Sequence, residues 1–274
     1  MQFTRNIDAF LVLGISFVSV CLLLLPATGI GGSWLVVPAG LSGLAVFGAA
    51  VAIRNFPLIH LSLFFLLLFG WKWSPWWPRE LPTGLLAPSL AYIVIIVLFR
   101  PLRESVTWFR RGALSRKTLL AALGVLALSL PALFAWAVFT ENNIQDYIYL
   151  FHPRILYVEL LIFALIFALI NAFTQEIIFR GVFQDSLCAS LGRGWPALLV
   201  QAFVFGLIHY VGVPDGISGI IMAFAYGIAL GVLKNLSGGL LLPIAVHFVT
   251  DLFIFYLVFY KAALLDLLGA FPLL

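Results

Sequence analysis

Residues 157–183 read YVELLIFALIFALINAFTQEIIFRGVF, an apolar run with no one-in-two alternation and long enough to cross a bilayer as one helix. That pattern argues against an outer-membrane barrel, whose strands alternate between lipid and lumen. Near its end the run takes up Gln175, Glu176 and Arg180. A charge at mid-bilayer costs roughly 2.5–3.5 kcal/mol on insertion scales, so such residues usually face a polar interior and mark a functional site.

The rest of the chain repeats the apolar pattern. Of 274 residues, 64% are hydrophobic and 9% charged, and the mean hydropathy is +1.15, which no soluble domain of this size requires. The expected fold is all-α: a polytopic transmembrane helical bundle of about nine spans. These lie near residues 7–25, 34–53, 57–71, 85–99, 119–139, 157–183, 196–210, 217–233 and 240–259, with the third, fourth and seventh short. The first run is too long for a signal-peptide core and is read as a retained anchor.

Basic residues set the expected orientation, because Lys and Arg stay cytoplasmic. Arg5, Arg54, Arg193, Lys234 and the Arg100 to Lys117 segment all fall on one side if the N-terminus is cytoplasmic. The Glu141 to Asp146 link falls opposite, and Lys72 and Arg79 are exceptions inside a Trp-rich segment suited to a headgroup belt. The expected location is a bacterial inner membrane. The net charge of +4 is explained by loops and by contact with anionic lipid, without a nucleic-acid partner. Cys21 and Cys188 support neither a disulfide framework nor a metal cluster.

Three later segments carry the polar residues. Glu176 and Arg180 are four apart, acid first, which places them on one helical face in the favourable order. The spacing alone fits a buried ion pair as well as a reaction site. Gln175 lies one step round the helix as a neutral donor and acceptor. Phe205 and His209 share a face of the next span, and His247 and Asp251 repeat the four-residue spacing on the last. Asp251 can fix the His247 tautomer, or both can act on a substrate.

Taken in order, Gln175-Glu176-Ile177-Ile178-Phe179-Arg180, Phe205 to His209 and His247 to Asp251 resemble the three motifs of the CPBP intramembrane proteases. Members include the type II CAAX prenyl endopeptidases and bacteriocin-processing or immunity proteins. The resemblance covers the region from Tyr147 to Phe259, so the expected division is a protease core over 147–274 preceded by helices without a recognised motif over 1–146. It implies hydrolysis of a peptide bond in a membrane-associated or lipid-modified peptide or protein by a glutamate-activated water. His209 would hold the water, and His247 with Asp251 would stabilise the oxyanion, while Arg180 balances the acid.

Gln175 stands where the family pattern has its first Glu, and an amide accepts no proton from water at neutral pH. Two readings follow. In one, Glu176 is the base and Gln175 orients the water. In the other, the chain is an inactive immunity factor, scaffold or regulator that binds peptides without cutting them. No cofactor is expected; zinc, held by Glu176, His209 and His247 with Asp251 as a further donor, is the second choice. Gly216-Ile217-Ser218-Gly219 matches the Gly-x-Ser-Gly string of rhomboid serine proteases, but it reads more simply as the start of a helix.

Overall fold

A computed structural model describes residues 36–72, 83–140, 157–192 and 194–267, together with Gly14. Every regular element among them is helical. In chain order these are α1 (Val36–Ala52), α2 (Phe56–Lys72), α3 (Thr83–Leu98), α4 (Arg100–Ser105), α5 (Arg116–Phe139), α6 (Tyr157–Glu176), α7 (Gln184–Leu191), α8 (Trp195–Ile208), α9 (Gly216–Ser237) and α10 (Leu241–Leu267). A π-helical segment, Ile177–Phe183, joins α6 to α7 without a break.

Each expected span from the second to the ninth coincides with a helix. Four helical stretches are long and apolar enough to cross a membrane unaided: Arg116–Phe139, Leu161–Leu191, Gly216–Ser237 and Leu241–Val258. The helices at 38–52, 56–72, 84–98 and 195–208 are apolar but shorter, so the second span joins the three expected to be short. The anchor expected at 7–25, the belt beyond Lys72 and the 141–146 link lie outside the described residues.

The bundle carries large apolar side chains on its surface as well as in its core. Along the first turns of α6 Ala164, Ala168 and Ala172 are buried, while Leu161, Ile166 and Leu169 are exposed. Water would expel a surface of that kind, but lipid accepts it. Small residues then occupy the interface because they let helix backbones approach closely. This is the surface of a helical membrane bundle.

The main apolar cluster runs from Leu58, Phe64 and Tyr92 through Trp108 to Phe179, Phe183 and Phe205. Trp108 is the hinge pin of this packing. Its ring stacks on Tyr92 at 6.4 Å between centroids and lies against Gly181, where an added Cβ would sit 2.8 Å from the indole. The π-helical segment therefore needs glycine at 181 for the link to dock.

Docking continues beyond the ring. Ala113 N donates to Ser237 O at 2.7 Å, and Leu240 N donates to Arg110 O at 2.9 Å, so the α4–α5 link is laced onto the α9–α10 turn. Arg100, Arg103, Arg110, Arg111, Arg116 and Lys117 all point outward from this platform. Lys234 departs from the reading as a loop charge. It lies within α9, is buried, and pairs with Asp185 of α7, which also accepts from Thr107 Oγ1 at 2.6 Å.

A second polar staple ties the first helices together. Tyr92 OH and His60 Nδ1 are 2.9 Å apart, and His60 Nε2 lies 2.8 Å from Ser105 Oγ, whose own proton goes to Leu102 O at 2.7 Å. With each group spending its proton on the next, Ser105 is a structural link and not an activated nucleophile. Tyr92→Phe leaves a buried imidazole nitrogen unpaired. It is expected to cost about 1–3 kcal/mol, read as a lower unfolding temperature in detergent.

Candidate active site

Glu176 ends α6 at the point where the backbone changes to π-helical geometry. A π segment inserts extra backbone into the turn and is frequent at functional sites. Ile177 to Gln184 are buried on all sides, as suits a helix running through the middle of a bundle. Glu176 and Arg180, both 0% exposed, form an ion pair through Oε1 and Nη1 at 3.0 Å. Arg180 also donates from Nη2 to Gly227 O at 3.4 Å and lies over the Phe205 ring, 4.4 Å from its centroid. A guanidinium in that position gains cation–π stabilisation as well as its ion pair.

His247 of α10 approaches the same carboxylate oxygen, with Nδ1 2.7 Å from Glu176 Oε1. Oε1 thus serves two donors, and Oε2 is buried with no partner among the described residues. His247 Nε2 lies 3.6 Å from Asp251 Oδ1, too long for a strong hydrogen bond. Asp251 is instead fastened to α6, accepting from Asn171 Nδ2 at 3.0 Å. Asn171 in turn accepts from Gln175 Nε2 at 2.8 Å, which leaves Gln175 Oε1 buried and unpartnered beside the catalytic candidate.

His209 begins a single 3₁₀ turn after α8. Its Nδ1 is 2.8 Å from Phe205 O, and because a carbonyl only accepts, the neutral ring carries its proton there and keeps a lone pair on Nε2. Phe205 holds the group together: its ring lies 4.6 Å from His209 and 6.1 Å, edge to face, from His247. Arg180 occupies the same ring, so Phe205 touches three of the polar residues picked out by spacing.

All seven sequence candidates thus lie in or around one buried cluster on α6, the π segment, α8 and α10. Five further residues were not singled out: Asn171, Gln184, Gln201, Tyr226 and Thr250. A signal existed, since Asn171 precedes Gln175 by four residues, Gln184 follows Arg180 by four and Gln201 precedes Phe205 by four. Tyr226 donates to Thr250 Oγ1 at 2.9 Å and sets its ring edge to face with His247 at 5.7 Å, which backs the imidazole from α9.

No group of three or more His, Cys, Asp or Glu side chains is arranged to hold a metal among the described residues. Ser218 closes the first turn of α9, donating to Asp215 O at 3.0 Å and accepting from Trp136 Nε1 at 3.2 Å. Ser218→Ala is expected to leave peptide cleavage within about twofold of the parent, measured at matched protein levels.

Residues 157–253 match the model of a protease family described as Type II CAAX prenyl endopeptidase Rce1-like. The matched stretch begins with α6 and ends just beyond Asp251, so it holds all three motifs, and the family is the one they resembled. No curated protein and no solved structure matches the chain significantly.

Proposed function

We propose that this protein is an intramembrane endopeptidase in which Glu176 activates the water that hydrolyses a peptide bond. The single observation that carries the reading is the division of labour on the Glu176 carboxylate. Oε1 is occupied by Arg180 and His247, while Oε2 is buried and free to accept a proton. Donors on one oxygen hold the carboxylate in place without consuming the other, as a general base requires.

Gln175 then orients rather than reacts. Its amide nitrogen is tied to Asn171, so its unpartnered oxygen is the second acceptor on adjacent residues. A water that donates one proton to each acceptor directs its lone pairs away from them, toward a carbonyl carbon. As attack proceeds, one proton passes to Glu176, which returns it to the leaving nitrogen. His247, held to Glu176 through Nδ1, offers Nε2–H to the carbonyl oxygen when the ring is protonated, and Asp251 stabilises that charge. Asn171 is a positioning residue in this scheme, because it ties Asp251 to Gln175.

The substrate class in this reading is a membrane-associated or lipid-modified peptide, in keeping with the matched family, and the host compartment is a bacterial inner membrane with the N-terminus cytoplasmic. The inactive reading rests on one residue, the amide at 175, and one substitution separates the two. With a fluorogenic farnesylated CAAX-type peptide and its unprenylated form, an active parent cleaves, and Gln175→Glu changes its kcat by less than about tenfold, well below the worth of a general base. If the parent is inert and only Gln175→Glu cleaves, the fold carries a disarmed site and the proposal fails.

A further inference from the structure

On the side of Arg180 away from Glu176, the buried packing against α9 turns polar for two helical turns. Gln201 Nε2 donates at 2.9 Å to Gly227 O, the carbonyl that also receives Arg180 Nη2. One turn further along α9, Gln184 Nε2 donates to Gly231 O at 3.2 Å and to Asn235 Oδ1 at 2.9 Å. Arg180, Gln184 and Gln201 are each 0% exposed, whereas Asn235 lies on the surface. Arg180 Nε, Gln184 Oε1 and Gln201 Oε1 have no partner among the described residues.

Glycine lets the side chains of α7 and α8 close directly onto the α9 backbone here. A Cβ on Gly231 would lie 3.0 Å from Gln201 Nε2 and 3.1 Å from Gln184 Oε1, and would run into Leu198. The two glutamine amides therefore flank the same point, with their free oxygens unmatched. Buried polar groups left unpaired are costly, and ordered water with about three hydrogen bonds is the usual remedy. Leucine at 184 and 201 would avoid the problem in a bundle otherwise built from apolar side chains. Polar side chains are instead retained between Asn235 at the surface and the enclosed ion pair of Arg180 with Glu176.

We propose that Arg180, Gln184, Gln201 and the Gly227–Gly231 face of α9 form a water-binding seam that joins the surface at Asn235 to the buried Glu176 site. Its role as a supply line rests on the hydrolytic reading, since each peptide bond cut consumes one water; its hydration does not. The seam runs through the protein between the π segment, α8 and α9, so water reaches the site without crossing the lipid-facing surface.

Millisecond X-ray radiolysis of the full-length protein in nanodiscs, read by mass spectrometry, tests both parts. Bound water oxidises the side chains beside it even where bulk solvent has no access. Leu198 beside Gly231 and Phe205 under Arg180 are the reporters, and the equally buried Leu58 and Phe64 are the controls. The expected result is several-fold faster oxidation of the reporters than of the controls. That excess should be lost in Gln184→Leu/Gln201→Leu and retained in Glu176→Gln. The same double variant should cut single-turnover cleavage about tenfold without weakening peptide binding.

Gly231→Ala, which narrows the seam from the α9 side, serves as the second variant should the leucines prevent folding. Reporters oxidised no faster than controls would overturn the seam itself. Lost oxidation with unchanged cleavage would overturn its supply role. A parent that cleaves nothing would defeat the hydrolytic reading alone, because the oxidation pattern still decides whether the seam is wet.

Discussion

Glu176→Gln is expected to lower single-turnover cleavage by about 10²- to 10⁴-fold, the range contributed by a positioned general base. The amide keeps the size of the side chain and can still accept from Arg180 and His247 on one atom. Its other atom becomes an NH₂ that donates where Oε2 accepted, so the water loses its proton acceptor and its orientation together. Peptide affinity should change little, because the loss falls on the transition state and not on ground-state binding. The check is rapid-quench cleavage by purified protein at saturating enzyme. A variant that cleaves as fast as the parent would remove Glu176 from the mechanism.

The substitution also leaves Arg180 without its ion-pair partner, so activity and folding must be separated. Arg180→Met is expected to cost about 3–5 kcal/mol, because removing one side of a buried pair strands the other charge in low dielectric. The loss should be larger than the pair itself contributes, since Gly227 O loses a donor and Phe205 loses the cation above it as well. Unfolding in nanodiscs, followed through tryptophan fluorescence, measures it directly.

The double variant Glu176→Gln/Arg180→Met removes both charges and should recover much of that stability, since a buried pair replaced by neutral groups of similar volume is often neutral or better. Cleavage should remain absent. A large coupling energy in stability, with Arg180→Met lowering cleavage in the parent but not further in Glu176→Gln, identifies Arg180 as the counter-ion and Glu176 as the reacting group. Full activity in Arg180→Met would instead show that the base needs no counter-charge.

The wet polar seam and the active cluster share Arg180, which explains why one helix carries so many polar residues. Asn171 and Gln175 are four apart, and so in turn are Glu176, Arg180 and Gln184, so two neighbouring ladders climb α6 and its continuation. The upper rungs meet α10 through Asp251 and His247. The lower rungs meet α9 through the carbonyls of Gly227 and Gly231. Glu176 and Arg180 stood out in the sequence by charge and Gln175 by its place beside Glu176, whereas Asn171 and Gln184 are neutral amides, and an amide in an apolar run costs too little to single itself out.

The sequence by itself determined that this is a helical membrane bundle and where the described helices run, because hydropathy over a span is a local quantity and lipid leaves the backbone few alternatives. It also brought Glu176 within reach of Arg180, since both belong to one helix. Tertiary structure alone decided the rest. It placed His247 rather than water on Oε1 of Glu176, tied Asp251 to Asn171, set Phe205 beneath Arg180, and buried Lys234 against Asp185. Those contacts join residues far apart in the chain. They depend on how far each helix is rotated about its axis, and the π segment at Ile177–Phe183 alters that rotation by an amount no regular helical periodicity encodes.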